Sequence, residues 1–445
     1  MRKIFKYPLL FAAAMTLATS MTSCSDSDDD NGDRVKEQNE ALEAVTKQYL
    51  NAVVYPTYTG LANSADELYN LIYALKNKVK GGKTATQAEV DAICAKYKEA
   101  RKYWEQSEAF LYGAATDFDI DPWIDTWPLE VDILAKDLND DKIVTRLDQA
   151  AKDGNVAFVT PENRGFHGIE FIFFRDGKNR NVAIFNNDAV ENYTYKGEAY
   201  FKGMNVTGKE EMAFAAAVAA DLRDKVYQLE VAWKGNTASA SHVARVNECK
   251  KNKAADNYET LAASGLSYGA DLLNVGVGKS YSTWKKVMET IFVGGCSKIC
   301  AEVADQKMGQ AYRSAVGQAE THEDEETGEL VEDDDPNYIE SPYSYNSFAD
   351  FKDNILSIRN SLYGNVGTEG WAEQSIMAYL KKYLPAQAYE MQVKLQSALK
   401  ALDSCLAAKQ AFVQNPGATY VKEAMDKITA LDDCLNNVSR ELLKN

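Results

Sequence analysis

Histidine is nearly absent from this chain: there are three in 445 residues, His167, His242 and His322, so any imidazole chemistry must use one of them. A serine or cysteine hydrolase needs an activated nucleophile beside such a base, and no Gly-x-Ser-x-Gly elbow is present. Cysteine is sparse too, seven in all, and no two stand in a Cys-x-x-Cys pair, which removes the usual structural zinc sites. Cys296 and Cys300 share one helical face, and Cys405 and Cys434 fall on consecutive predicted helices. Buried thiols or disulfides suit these four better than a metal. Positive charge is also lacking: 49 Lys and Arg against 66 Asp and Glu leave a net charge of -17, which argues against a nucleic-acid partner. After the N-terminal segment no stretch approaches the ~18 apolar residues that span a bilayer. A P-loop is missing as well, because Gly278-Lys279-Ser280 ends like one but Leu273 stands where the first glycine belongs.

What is present begins with an export signal. Arg2, Lys3 and Lys6 precede the apolar run from Pro8 to Ala18, and Met21-Thr22-Ser23 leads to Cys24. This pattern resembles a bacterial lipoprotein signal over 1–23, with lipid attached to Cys24. An acidic flexible tether over 24–34 is expected next. Its Asp26, Asp28 and Asp30 mimic an EF-hand spacing, but Asn31 replaces the required glycine. The expected location is the outer membrane, facing the periplasm or the cell surface, with the membrane engaged by the anchor alone.

The rest of the chain reads as amphipathic helix, an all-α fold. Leu42, Val45, Tyr49, Leu61, Leu68 and Leu75 keep helical spacing over 35–80, with Pro56 expected to kink the run. Thr86 and Glu89 form a capping box before a helix carrying Tyr97, Ala100 and Trp104. Residues 177–205 lose the period and mark a boundary between an N-terminal helical bundle, 35–195, and a C-terminal one, 205–445. The two halves share an order of features that suggests an internal duplication, in which Gly370, Ala372 and Ser375 would stand opposite Gly165, His167 and Glu170. The acidic block from His322 to Asp335 is expected as an exposed loop.

The chemical signal lies in Gly165-Phe166-His167-Gly168-Ile169-Glu170, followed by Phe171-Ile172-Phe173-Phe174. Residues three apart share a helical face, so His167 and Glu170 can meet one metal ion or each other. Aromatic and Ile content would also suit a buried strand, but helical flanks favour helix. Zinc peptidases usually take two histidines four apart with an intervening Glu; here position 171 is Phe. A working metal needs more ligands, and Glu105, Glu108, Asp121 and Asp125 are candidates. One imidazole with several carboxylates suits iron or another borderline-to-hard divalent cation at least as well as zinc. The alternative is that His167 merely satisfies Glu170 or a carbonyl in the core.

The segment Gly165-x-His167-x-x-Glu170 resembles the GxHxxE motif of the imelysin family. Trp104-x-x-x-Glu108, the Asp-rich approach to Trp127-Pro128, and Glu340-Ser341-x-x-Ser344 followed by Asn346-Ser347-Phe348-x-Asp350-Phe351 fit the same family. The resemblance spans about residues 35 to 445. It implies two related helical bundles with a site near their interface, a family named for proteolysis and linked to bacterial iron uptake. On that basis His167, Glu170, Glu108 and Glu105 would hold a metal or metal-containing ligand. Trp104, Trp127, Gly165, Glu340, Ser341 and Ser344 would line the pocket, and an outer-membrane uptake protein would be the partner. No catalytic residue is assigned. The alternatives are a metallopeptidase using His167 and Glu170 as ligands, and a non-catalytic interaction module whose polar cluster only locks the bundles together.

Overall fold

A computed structural model describes residues 28–253, 257–323 and 330–444. The expected signal sequence and Cys24 lie outside the described residues. Helix α1, Asp28–Tyr49, takes in residues 28–34 of the expected flexible tether, so this part of the acidic run is helical. Among the described residues no helix is long and apolar enough to cross a membrane.

A π-helical turn, Leu50–Val54, joins α1 to α2, Tyr55–Lys80. Pro56, at the start of α2, has no N–H and crowds the carbonyl four residues back, so the regular ladder widens there. The capping box forms as read: Thr86 N donates to Glu89 Oε2 at 2.8 Å and starts α3, Gln87–Glu105. Helix α3 stops at Glu105, just past Trp104. Helix α4, Asp141–Asp153, precedes α5, Gly165–Phe173, so the ambiguous His/Glu segment is helical as favoured.

The irregular boundary segment holds two small hairpins. Strand β1, Phe174–Arg175, pairs antiparallel with β2, Lys178–Asn179, and β3, Thr194–Tyr195, with β4, Glu198–Ala199. Asp176-Gly177 and Lys196-Gly197 turn them with positive φ at all four residues, the geometry a two-residue hairpin loop requires.

Helix α6, Gly208–Lys234, opens the second half of the chain, yet it packs on α2, α4 and α5. Its small residues, from Ala213 to Ala220, bury almost every position and allow this central placement. Residues 284–315 form a helical rod interrupted by π-helical stretches Thr290–Ser297 and Glu302–Lys307. It packs with α7, Ser347–Tyr363, and α9, Thr419–Lys444; α8, Pro385–Leu406, packs between α7 and α9. Helix α7 also lies along α3, which brings distant parts of the sequence together around α5. Ala41–Asn445 clusters as one compact unit.

The acidic block is not all loop. Thr321–Glu323 and Leu330–Glu332 pair as exposed antiparallel strands, with His322 Nδ1 at 2.6 Å from Asp333 Oδ1. Cys94, Cys249, Cys296, Cys300, Cys405 and Cys434 are all buried free thiols. In the proposed repeat, Ser375 is the N-cap of the helix Ile376–Tyr383, accepting from Ala378 N at 3.1 Å, whereas Glu170 lies inside α5.

A buried carboxylate cluster around His167

The start of α5 is fixed by close backbone packing. Gly165 has φ +63°, and a Cβ there would collide with the Ile124 carbonyl. The glycine of the motif is thus a packing requirement; it brings the first turn of α5 against the segment carrying Asp125. His167 and Glu170 then project from one face, with His167 Nδ1 at 3.4 Å from Glu170 Oε2. The other ring nitrogen, Nε2, lies 3.1 Å from Asp125 Oδ1, off the line for a hydrogen bond.

Glu170 reaches into the other half of the chain. Its Oε1 accepts from Tyr343 N at 3.1 Å, Ser344 N at 2.7 Å and Ser344 Oγ at 2.7 Å. Ser341 Oγ donates to Asp350 Oδ2 at 2.5 Å, and Asn346 Nδ2 donates to Asp350 Oδ1 at 2.6 Å. Ser341, at φ +51°, and Tyr345, at φ +59°, hold left-handed backbone at either end of this turn.

Two cations sit among the acids. Arg101 on α3 contacts Asp125, meets Glu105 Oε1 and Glu340 Oε1 at 2.6 Å each, and lies 3.7 Å from Asp350 Oδ2. Lys307 Nζ lies 3.1 Å from Glu340 Oε1, 3.8 Å from Glu108 Oε1 and 3.9 Å from Glu105 Oε2. Asn354 Nδ2 donates to Glu105 Oε2 at 2.6 Å. Trp104 Nε1 donates to Asp125 Oδ2 at 2.7 Å, while the Trp104 ring stacks near Phe166. Trp127, half-buried, covers the outer side: its ring centre lies 5.6 Å from that of His167 and 5.1 Å from Lys307 Nζ.

The cluster is closed. His167, Glu170, Glu105, Glu340, Ser341 and Trp104 are each 0 % exposed. A cavity of about 480 Å³ opens beside it, lined in part by Pro128, Ile339, Pro342 and Tyr343, but by none of the site residues named from sequence. His167, Glu170, Glu105, Glu108, Trp104, Glu340, Ser341 and Ser344 thus meet around one buried cluster, and none of them lines this cavity.

Carboxyl groups outnumber the cations. Glu105, Glu108, Asp121, Asp125, Glu170, Glu340 and Asp350 surround Arg101, Lys307 and His167. Burial pushes the carboxyls of Glu105 and Glu108 well above their usual range, against the pull of Arg101 and Lys307 respectively. Burial likewise raises Asp121 and Asp350 to about 7. Asp125 goes the other way: burial raises it, but Arg101 and His167 outweigh that and hold it well below its usual value. Burial lowers His167, yet the Asp125 and Glu170 carboxylates carry it up to about 9.

These donors suit a metal ion. Ligand atoms of Asp125, His167 and Glu340 lie within 4.8 Å of one another, as do those of Glu105, Glu108 and Asp125. Glu340 Oε2 is buried with no hydrogen-bond partner, an oxygen that a cation would satisfy. A set of one imidazole and several carboxylates fits a borderline-to-hard cation. Sequence reasoning missed Arg101 and Lys307. Each stands on an apolar helical stripe, Arg101 with Tyr97 and Trp104, Lys307 with Cys300 and Val303, and a charge in that position is the signal of a buried partner.

The chain is 22% identical over 388 residues to iron-regulated protein A of Synechococcus elongatus, covering 87% of this chain and 83% of that protein. Its fold is similar to a crystal structure assigned as an iron-regulated protein A precursor from Parabacteroides distasonis, with TM-score 0.62, 20% identity, and coverage of 91% of this chain and 95% of that one. An imelysin-like protein from Psychrobacter arcticum matches with TM-score 0.47 and 13% identity over 89% of this chain and 93% of that one. The family model described as imelysin matches residues 54–438, and the chain belongs to the imelysin family.

Proposed function

We propose that the chain binds a metal cation, or a ligand carrying one, at the His167 cluster in the service of bacterial iron uptake, as an exported lipoprotein anchored through Cys24 and working with an outer-membrane partner. The observation that carries the reading is the excess of buried carboxylates over Arg101, Lys307 and His167. Burial raises the carboxyls of Glu105, Glu108, Asp121 and Asp350, which relieves their charge by protonation, and a bound cation is the alternative that would let them ionise. The iron connection is supported by the name of the Synechococcus relative, iron-regulated protein A. Asp125, His167 and Glu340 would supply the ligands, with Glu105 and Glu108 forming a second carboxylate group beside them.

A second reading is a structural lock, favoured by Glu170, whose Oε1 is fully engaged by three donors from 343–344. Elemental analysis combined with thermal unfolding in iron, copper or zinc separates the two, using wild type and Glu340→Gln. Metal binding predicts a concentration-dependent rise in Tm through mass action, reduced in Glu340→Gln. The lock predicts no metal retained and no shift in either protein. Metal-dependent cleavage of a peptide library would instead establish the peptidase.

A further inference from the structure

The cavity beside the cluster has a chemistry of its own, distinct from metal ligation. Five tyrosines line it: Tyr193, Tyr195 and Tyr200 from the β3–β4 hairpin and its flanks, with Tyr343 and Tyr345 opposite. The first three form a continuous stack. Tyr195 lies 6.4 Å from Tyr193 at 9°, and Tyr200 lies 5.8 Å from Tyr193 at 27°. Glu130, Asp176, Glu198 and Asp335 stand around the rings, against two cations, Arg175 and Lys196.

Both cations are already engaged. Arg175 lies 3.2 Å from Glu191 and 4.9 Å from the Tyr193 ring centre; Lys196 donates to Asn337 and rests 5.3 Å from the Tyr195 ring centre. These internal pairs display what the tyrosine faces accept. A cation over an aromatic face is attracted by the ring quadrupole, and more strongly where carboxylates supply a negative field. The volume, about 480 Å³, is that of a small-ligand site.

We infer that this tyrosine-lined cleft binds an organic cation, an ammonium or guanidinium group stacked on the phenol rings and paired with the surrounding carboxylates. Such a group belongs either to a small amine or to a Lys- or Arg-bearing peptide. The site is separate from the metal reading: of its lining residues Tyr343 touches the His167 cluster through its backbone N–H, and no ligand named for the metal lines the cavity.

Calorimetric titration of the purified protein with cadaverine, with tri-lysine and with tri-lysine acetylated at every amine, Nα included, tests it. Wild type should bind at least one cationic probe saturably and the acetylated peptide not at all. Binding of cadaverine assigns a small amine; binding of tri-lysine alone assigns a peptide. Tyr195→Leu, and separately the double change Asp176→Asn with Glu198→Gln, should each weaken binding about fivefold or more. Asn keeps the left-handed turn at position 176, and circular dichroism checks that both variants fold. Metal-induced stabilisation, measured in parallel, should be unchanged in both variants, so failure of either reading shows separately. No saturable binding of either cationic probe, equal binding of the acetylated peptide, or affinity untouched by both variants overturns the inference.

Discussion

Replacing Glu170 by Ala should destabilise the metal-free protein more than any other single truncation of the GxHxxE segment's polar groups. The side chain is 0 % exposed, and its Oε1 is the acceptor for Tyr343 N, Ser344 N and Ser344 Oγ. Leaving one buried donor without a partner costs roughly 1–3 kcal/mol. The Ser344 hydroxyl can rotate to another acceptor, but the two backbone N–H groups are held by the turn and cannot. Two stranded amides therefore set an expected loss of about 4 kcal/mol. Glu170→Gln keeps an acceptor oxygen at the same reach and should lose about 1–2 kcal/mol, the difference between charged and neutral acceptors. Ser344→Ala removes only the hydroxyl and should cost about 1 kcal/mol. Urea denaturation of the three variants and wild type at pH 7, with chelator present, gives the ranking. A loss under about 1 kcal/mol for Glu170→Ala, or equal losses for Ala and Gln, would refute the claim that this carboxylate ties the two halves of the chain together.

Gly165→Ala should cost more than about 3 kcal/mol and show as insoluble expression or a large fall in Tm, because the added Cβ meets the Ile124 carbonyl as well as a positive φ. Gly82→Ala, at φ +72° with open space around it, isolates the backbone term and should cost about 1–2 kcal/mol. Lys307→Met strips the ammonium from Glu340 and Glu108; the metal-free variant should lose about 3–5 kcal/mol, and divalent cations should restore more stability to it than to wild type. Unchanged denaturation of Lys307→Met would count against the charge argument. Away from the cluster, burial raises the Asp224 carboxyl, but hydrogen bonds from Arg245 and the charges of Lys253 and Arg223 hold it at about 2. Its folded value lies below its unfolded one, so its stabilisation, about 2 kcal/mol, is present above pH 4 and fades as the pH falls towards 2. Asp224→Asn should therefore lose its disadvantage relative to wild type across that acid window, as read from Tm at successive pH values.

The helical fold was legible because its causes are local. Apolar spacing over Leu61, Leu68 and Leu75, and the Thr86–Glu89 box, act within a few residues of sequence. The residues facing the cluster were legible too, since His167, Glu170, Glu105, Glu108 and Asp125 are polar types set in apolar or aromatic runs. What could not be read was the assembly. Arg101 meets Glu340 across 239 positions, and Glu170 meets Ser344 across 174. No period or motif encodes such a meeting; it follows from α7 lying along α3. Helix α6 shows the same limit. Its alanine-rich sequence marks it as buried, but not that it would serve α2, α4 and α5 as well as the segment that follows it.

Burial also bears on what chemistry the cluster can perform. A hydrolytic metal keeps one position open for water and substrate. Here Asp125, His167 and Glu340 are buried, and the adjacent cavity is lined by their neighbours Pro128, Ile339 and Tyr343 but by none of the three. Tyr343 is the partition: its ring faces the cavity, and its N–H holds Glu170. Moving Tyr343 would strip a donor from Glu170. On the proposed metal reading, desolvation acts in favour of the ion, because the burial that makes bare carboxylates costly also strengthens their pairing with a cation.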